Sequence, residues 1–366
     1  MGKILLKNLK KELENSIRKA VDSEQDCEIV FSRPPDFKLG DIATPLSFEL
    51  AKKLKKNPIL IAKDIAENII LPEGIEKAET SGGYINFFFD RNYFSKKTVE
   101  IITREDGNYG KGEKKEEKVM VEYSQPNTHK SFHIGHLRNV CLGDALANIM
   151  DFSGYETVRA NYIGDVGAHV AKCLWGYMKF YNGVIPDHNK GDFLGKVYSE
   201  SDNKLKETLE YQEEYKIVLK KLYEGDKKTL DVWKMTREWS LEEFNRIYQE
   251  LGVNFDIFLY ESEVKDEGTK IAKELLDKGV AKNKEGAVIV DLKEFGLDEF
   301  VILRSDGTAL YSTKDLALAE RKFQDFKIDR SLYVVGSEQK FYFKQLFKTL
   351  EPVSYTHLTL PTNREV

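Results

Sequence analysis

Apolar residues recur at helical spacing from the first residues of the chain. In MGKILLKNLKKELENSIRKA, Leu5, Leu9, Leu13 and Ile17 fall about one turn apart, which predicts an amphipathic helix. CEIVFSRPP reads as a short strand closed by Pro34 and Pro35. GDIATPLSFELAKKLKKN and NPILIAKDIAENII read as two helices, and TSGGYINFFFD as a strand entered through two glycines. Residues 1–110 therefore make a small α/β unit. DGNYGKGEKKEEKV, with its glycines and mixed charge, is a solvated linker centred on residues 111–118.

From Lys118 the pattern changes. KVMVEYS is a buried-type strand, PNTHKSFHIGH a turn and LRNVCLGDALANIMDFSGY a helix. YETVRANYI, GDVGAH and VAKCLWGYMKFY repeat that order of strand, turn and helix. Such alternation opens a doubly wound parallel sheet, whose ligands lie beyond the carboxyl ends of the strands. Residues 183–252 lose strand character and become charge-rich and helical, as an insertion would. The βα pattern resumes at NFDIFLYES, followed by a hairpin-like pair, GAVIVDL and EFVILRSDGTALY. A helix (TKDLALAERKF), a strand (SLYVVG) and a helix (EQKFYFKQLFKTL) complete it. No internal repeat is visible. The expected fold class is α/β, a Rossmann-like doubly wound domain over 119–352 preceded by the small α/β unit.

Composition narrows the chemistry. With 366 residues the chain has room for about two domains. A net charge of −5 excludes bulk polycationic attraction, so a nucleic-acid partner needs local basic patches. Cys27, Cys141 and Cys173 are far apart and odd in number, which argues against a disulfide framework or a structural zinc site. The first helix has no apolar run of signal-peptide or membrane-span length, and a cytoplasmic location is expected.

Three of the six histidines, His129, His133 and His136, stand at i, i+4 and i+7. On one continuous helix they could ligate zinc. Pro126 before them and Gly135 among them place a strand-to-helix turn there instead, so no metal is expected. A helix start presents free N–H groups and a partial positive charge, which favours anions. His133, His136 and Lys130 at such an end make a phosphate site, with Gly135 allowing close approach of a ring or ribose. His129 reads as incidental, and Lys130 has the alternative of a solvated turn lysine. Trp175, Tyr177 and Phe180, at helical spacing, read as core.

His133-Ile134-Gly135-His136 after the first strand of a nucleotide-binding fold resembles the signature of class I aminoacyl-tRNA synthetases. VEYSQPNTHKSFHIGHLRNVCLGDALANI, ANYIGDVGAHVAKCLWG and GTALYSTKDLALA resemble arginyl-tRNA synthetases in particular. GDIATPLSFELAKKL and SGGYINFFF resemble that family's extra N-terminal domain, which touches the tRNA elbow. The resemblance covers residues 1–351 and implies a HUP-type catalytic fold. It also implies the reaction: arginine attacks the α-phosphate of Mg2+-bound ATP, and the arginyl group then moves to tRNA(Arg). Chemistry of this kind is positioning and charge neutralisation rather than covalent catalysis.

The resemblance implies roles residue by residue. His133 and His136 donate to the phosphates, and Lys130 supplies a fixed positive charge. A planar guanidinium calls for bidentate carboxylate acceptors, and Glu261 and Asp315 take that part. Tyr311 lines the pocket, Asn127 and Gln339 bind the amino acid, and Ser124 and Asp165 are second-tier residues. Glu263 is a rival to Glu261, and Asp315 has the alternative of a charge on a helix dipole. A monomer is expected, with no zinc and no membrane contact.

The sequence departs from the family after Gln339, where neither a KMSK-type loop nor an anticodon-binding domain is found. VSYTHLTLPT resembles a translated sequencing adapter, so residues 353–366 are expected to be non-native and poorly ordered. A chain without the loop is expected to be inactive or nearly so. The competing readings are another synthetase or nucleotidyl-transfer ligase bearing the same signature, and a non-catalytic tRNA-binding fragment.

Overall fold

The structure, a computed structural model, describes residues 2–21, 27–305 and 310–353. The expected disorder of 353–366 concerns residues that, apart from Val353, lie outside that set. The chain divides into two compact units, Met1–Gly112 and Glu113–Val366.

In the first unit, α1 (Gly2–Ala20) packs the apolar stripe seen in the sequence, with Leu9, Leu13 and Ile17 buried. β1 (Ile42–Thr44), α2 (Leu46–Leu54), α3 (Pro58–Asn68), β2 (Ile75–Ser81), β3 (Tyr84–Phe89) and α4 (Arg91–Glu105) follow. The strands form an antiparallel sheet in the order β1-β3-β2, and Ile85 and Phe87 of β3 join Leu13, Ile17 and Leu50 in the core. Asn57 caps α3 by accepting from Ile59 N–H, with Pro58 in the first-turn position that needs no donor.

Several expectations change here. CEIVFSRPP forms no strand, only an isolated bridge from Ser32 to Ala43, because its partner β1 is three residues long. GDIATPLSFELAKKLKKN is a strand before it is a helix, since α2 begins only after Pro45. β2 was hidden because its outer positions are polar, with only Ile75 buried. It pairs with β3 across Gly82-Gly83, whose φ values are +56° and +94°. A Cβ on Gly83 would lie 2.8 Å from the Phe48 ring, whereas one on Gly82 would meet nothing within 4 Å. Gly83→Ala is therefore expected to cost about 1–2 kcal/mol and Gly82→Ala less. Amide hydrogen exchange over β2 and β3 reads the difference, and equal loss of protection in both variants would contradict it.

The second unit begins with β4 (Lys118–Glu122), α5 (Ile134–Phe152) and β5 (Glu156–Ile163). α6 (Ala168–Gly176) runs into a π-helical turn, Tyr177–Tyr181, so VAKCLWGYMKFY is not one regular helix. The insertion holds α7 (Lys190–Lys204), α8 (Leu209–Glu224) and α9 (Lys227–Leu251). β6 (Ile257–Tyr260), α10 (Lys265–Asp277), β7 (Lys282–Lys284), β8 (Ala287–Val290) and β9 (Phe300–Leu303) come next. α11 (Tyr311–Phe326), β10 (Arg330–Tyr333) and α12 (Lys340–Leu350) complete it.

β10, β4, β5 and β6 form a parallel sheet in that order. Val119 and Val121 face the cluster containing Val140 and Phe244, while Met120 meets Ile328 on the other face. Burial on both faces explains the uninterrupted apolar run of β4. The chain walks outward from β4 to β6 and returns to β10 on the far side, so the switch point lies between β4 and β10. The hairpin-like pair is part of a three-stranded antiparallel sheet, β7-β8-β9. Trp175 and Tyr177 are core, but Phe180 is 40% exposed, edge-on to Trp175 and Tyr211 with the Lys204 ammonium over its ring.

Candidate active site

β4 ends in unusual backbone. Ser124, Gln125 and His129 all have left-handed φ, at 74°, 52° and 63°. Each such residue costs about 1–3 kcal/mol and persists only where its surroundings fix it. They do so here. Gln125 N–H donates to Asn161 Oδ1 at 3.2 Å, and its amide donates to Glu122 Oε1 at 2.7 Å. Ser124 Oγ lies 2.7 Å from the Tyr248 hydroxyl, to which Asn161 also donates. Ser124 is thus fully buried and spent on the scaffold.

The three histidines part company. His129 is fully buried, with ring nitrogens 2.9 Å from Thr128 Oγ1 and 2.8 Å from Thr236 Oγ1. Its N–H donates to Ser240 Oγ, so this residue bolts the turn to α9. Burial, with His169 and Arg237 nearby, holds its pKa down at about 3. His133 is the N-cap of α5, and its Nδ1 accepts from Gly135 N–H at 3.1 Å. His136 Nδ1 accepts in turn from His133 N–H at 3.3 Å, which closes a capping box built of imidazoles. The rings stack 3.8 Å apart. Since both Nδ1 atoms accept, the ring N–H groups are on Nε2, and neither Nε2–H has a partner among the described residues. Burial, then His133 and Lys130, lower the His136 pKa to about 4, so this ring is a neutral donor at pH 7. A Cβ on Gly135 would stand 3.0 Å from the His133 ring, which gives this glycine an intrachain purpose. α5 is also set close: a Cβ on Gly143 would fall 2.1 Å from Tyr123.

Lys130 is half-buried, its ammonium 4.9 Å from the Tyr198 ring on α7, so it is no freely solvated turn lysine. Asn127 follows β4 and bridges to Gly164 after β5. A Cβ on Gly164 would sit 2.3 Å from Asn127 Oδ1 and 3.5 Å from Glu261 Oε2, so the three converge where only glycine fits. Asp165 is fully buried. It pairs with Arg237 at 2.8 Å and accepts from Ser262 N–H and hydroxyl, tying α9 to the end of β6. Like Ser124 it is buried and fully engaged in the scaffold.

Glu261 sits directly after β6 and is 3% exposed. Its Oε1 meets Lys314 Nζ at 2.5 Å. Burial raises the Glu261 pKa, and Lys314 opposes that. Its rival Glu263 is exposed and lies 3.4 Å from Arg321. Tyr311, Lys314 and Asp315 occupy the first turns of α11. That helix is hooked to β9 through Ser312 Oγ on Val301 O and Thr313 Oγ1 on Ile302 O. Tyr311 is 61% exposed, with Lys314 Nζ 5.8 Å from its ring centroid. Asp315 accepts from the Tyr342 hydroxyl of α12. Burial raises its pKa to about 7; Tyr342 and Lys322 oppose, while Glu122 and Glu261 add to the rise. Gln339 is exposed in the 3-10 turn after β10.

Sequence reasoning missed the buried cations. Lys322 on α11 contacts Glu122 at the end of β4, and its ammonium lies 3.9 Å from the Tyr333 ring. Lys314 was passed over as well. Their only signal was a lysine inside a helix whose other face is apolar. Among the described residues no group of three or more His, Cys, Asp or Glu is placed to hold a metal ion.

Residues 98–362 match the family described as tRNA synthetases class I (R), catalytic domain, and residues 7–89 the arginyl tRNA synthetase N terminal domain. The arginine–tRNA ligase of Bdellovibrio bacteriovorus is 40% identical over 342 residues, covering 91% of this chain and 58% of that protein. That of Clostridium perfringens is 36% identical over 344 residues, covering 93% and 60%. Among solved structures, Thermus thermophilus arginyl-tRNA synthetase superposes with a TM-score of 0.56 at 26% identity, covering 94% of this chain and 63% of that one. The Plasmodium falciparum enzyme shares the fold, with a TM-score of 0.62 at 21% identity, covering 94% and 61%. The chain spans about 60% of the length of the curated relatives it matches. With two family matches in tandem and a parallel sheet bearing an imidazole-capped helix at its switch point, the chain belongs to the class I arginyl-tRNA synthetases.

Proposed function

We propose that this chain carries the arginine-activating site of an arginine–tRNA ligase. Arginine and ATP, bound with Mg2+, give arginyl-adenylate and pyrophosphate, and the arginyl group passes to tRNA(Arg). The observation that carries this reading is the stacked pair His133 and His136, with both Nε2–H groups left over at the start of α5. In the proposed site those donors and Lys130 meet the ATP phosphates, with Gly135 beneath. Glu261 and Asp315 take the guanidinium, Tyr311 covers it, and Asn127 and Gln339 bind the amino-acid end. Ser124 and Asp165 support the pocket. Residues 1–110 are proposed to grip the tRNA, the residues after the 111–118 linker to do the chemistry.

Asp315→Asn keeps an oxygen acceptor but removes the charge, and is expected to weaken L-arginine binding by roughly thirtyfold. Calorimetry on the folded chain reads it, and wild-type affinity in that variant would remove Asp315 from the site. The reading as a whole is tested by ATP–pyrophosphate exchange with arginine and tRNA. The assay is run on this chain and on one extended by the rest of the family's length. Exchange supported by another amino acid instead favours a different synthetase, and exchange in neither folded chain favours the tRNA-binding fragment.

A further inference from the structure

Four buried or half-buried carboxylates gather at the carboxyl-end edge of the parallel sheet, and three of them have a cation. Glu122 meets Lys322, Asp165 meets Arg237, and Glu261 meets Lys314. Asp315 has the Tyr342 hydroxyl instead, and among the described residues no lysine or arginine within ion-pair reach. Asp315 is therefore the one carboxylate of these four without an ion-pair partner among the described residues.

Lys314 keeps that number at one. It precedes Asp315 on α11, is 4% exposed, and gives its ammonium to Glu261 Oε1. Glu261 Oε2 is left on the side of Gly164 and Asn127. Resting on the arginine-binding role proposed above, we infer that Lys314 determines the substrate charge the site accepts. By neutralising Glu261 it leaves room for one further cation, which a side chain of single positive charge supplies at Asp315. Without Lys314, Glu261 and Asp315 would share one substrate cation. Neighbouring carboxylates in protein surroundings do not both stay ionised under such a shortfall, so one would keep a proton. The other groups facing Asp315 are Glu122, Lys322 and Tyr342. Asp165 faces Glu261, Tyr162 and Tyr311 face both carboxylates, and Tyr223, Tyr311 and His169 face Lys314. None of these adds a second spare cation.

The test is the pH profile of L-arginine affinity, measured by calorimetry on the 366-residue chain. In the wild type, affinity rises with pH through about 7 as Asp315 ionises, then levels. Lys314→Met moves that inflection upward by about one unit and weakens binding about tenfold at pH 7. Lys314→Arg restores the wild-type profile. A merely structural lysine would lower affinity equally at every pH, and an unmoved inflection in Lys314→Met overturns the inference. If that variant does not fold, the wild-type chain still reports. Binding at pH 7 in buffers of different ionisation enthalpy must release less than one proton, and release of more than one overturns the inference. Failure of the site reading looks different: the wild-type chain then binds no arginine, or binds neutral citrulline equally well.

Discussion

Lys322→Met is expected to destabilise the catalytic unit by roughly 3–5 kcal/mol, a large part of the 5–15 kcal/mol typical of a domain. Lys322 is 0% exposed and Glu122 2%, and their contact joins the middle of α11 to the last residue of β4. Removing the ammonium leaves a carboxylate deep in the sheet, with the Gln125 amide as its remaining donor. Losing one partner of such a pair is far worse than never having had it, because desolvation of the survivor is no longer offset. The double variant Glu122→Leu/Lys322→Met should therefore recover most of the loss. Urea unfolding of the three chains checks this, and a single variant with the wild-type midpoint would show that the pair is not coupled. The damage should also spread locally. Glu122 holds Gln125, and Gln125 sits in the left-handed pair that aims Asn127.

That pair also shows where the sequence stopped being legible. The strands and helices of the parallel sheet follow from apolar runs and turn residues, because each run is long and buried on both faces. β1 and β7 were missed because three residues are too few to show a period, and β2 because all but Ile75 and Ala78 of its positions are exposed, so sheet pairing decides them. At the site, the motif located His133, Gly135 and His136 correctly after the first strand. It said nothing of how they are held. A histidine acting as N-cap, with a second histidine closing the capping box, has no signature of its own in a list of residue preferences. His129 looked incidental in the sequence, yet Thr128, Thr236 and Ser240 are its partners. Two of the three lie more than a hundred residues away, where no local pattern reaches. Lys314 and Lys322 were invisible for the opposite reason: a lysine is normally at the surface, and only burial reveals it as a counter-ion.

His136→Ala separates the two jobs of that residue. In the chain extended by the rest of the family's length, loss of the Nε2–H donor is expected to lower ATP–pyrophosphate exchange by about 10²–10³-fold, the effect of removing one donor aimed at developing charge. Loss of the Nδ1 acceptor uncaps His133 N–H at the same time, which should cost about 1 kcal/mol of stability. His136→Glu distinguishes them. A carboxylate at the third position of the helix rebuilds the capping box and suits the helix dipole, so stability should return. Exchange should not return, because a carboxylate cannot donate and repels the phosphates. No metal should be released by either change, since His133 and His136 spend their Nδ1 atoms on the backbone and His129 is turned into the core. If Ala and Glu lose exchange only in proportion to stability, the imidazole is a cap and nothing more. If Glu is stable and inactive while Ala is unstable and inactive, the same ring both starts the helix and faces the phosphates. The capping bond would then be what keeps the donating proton on Nε2.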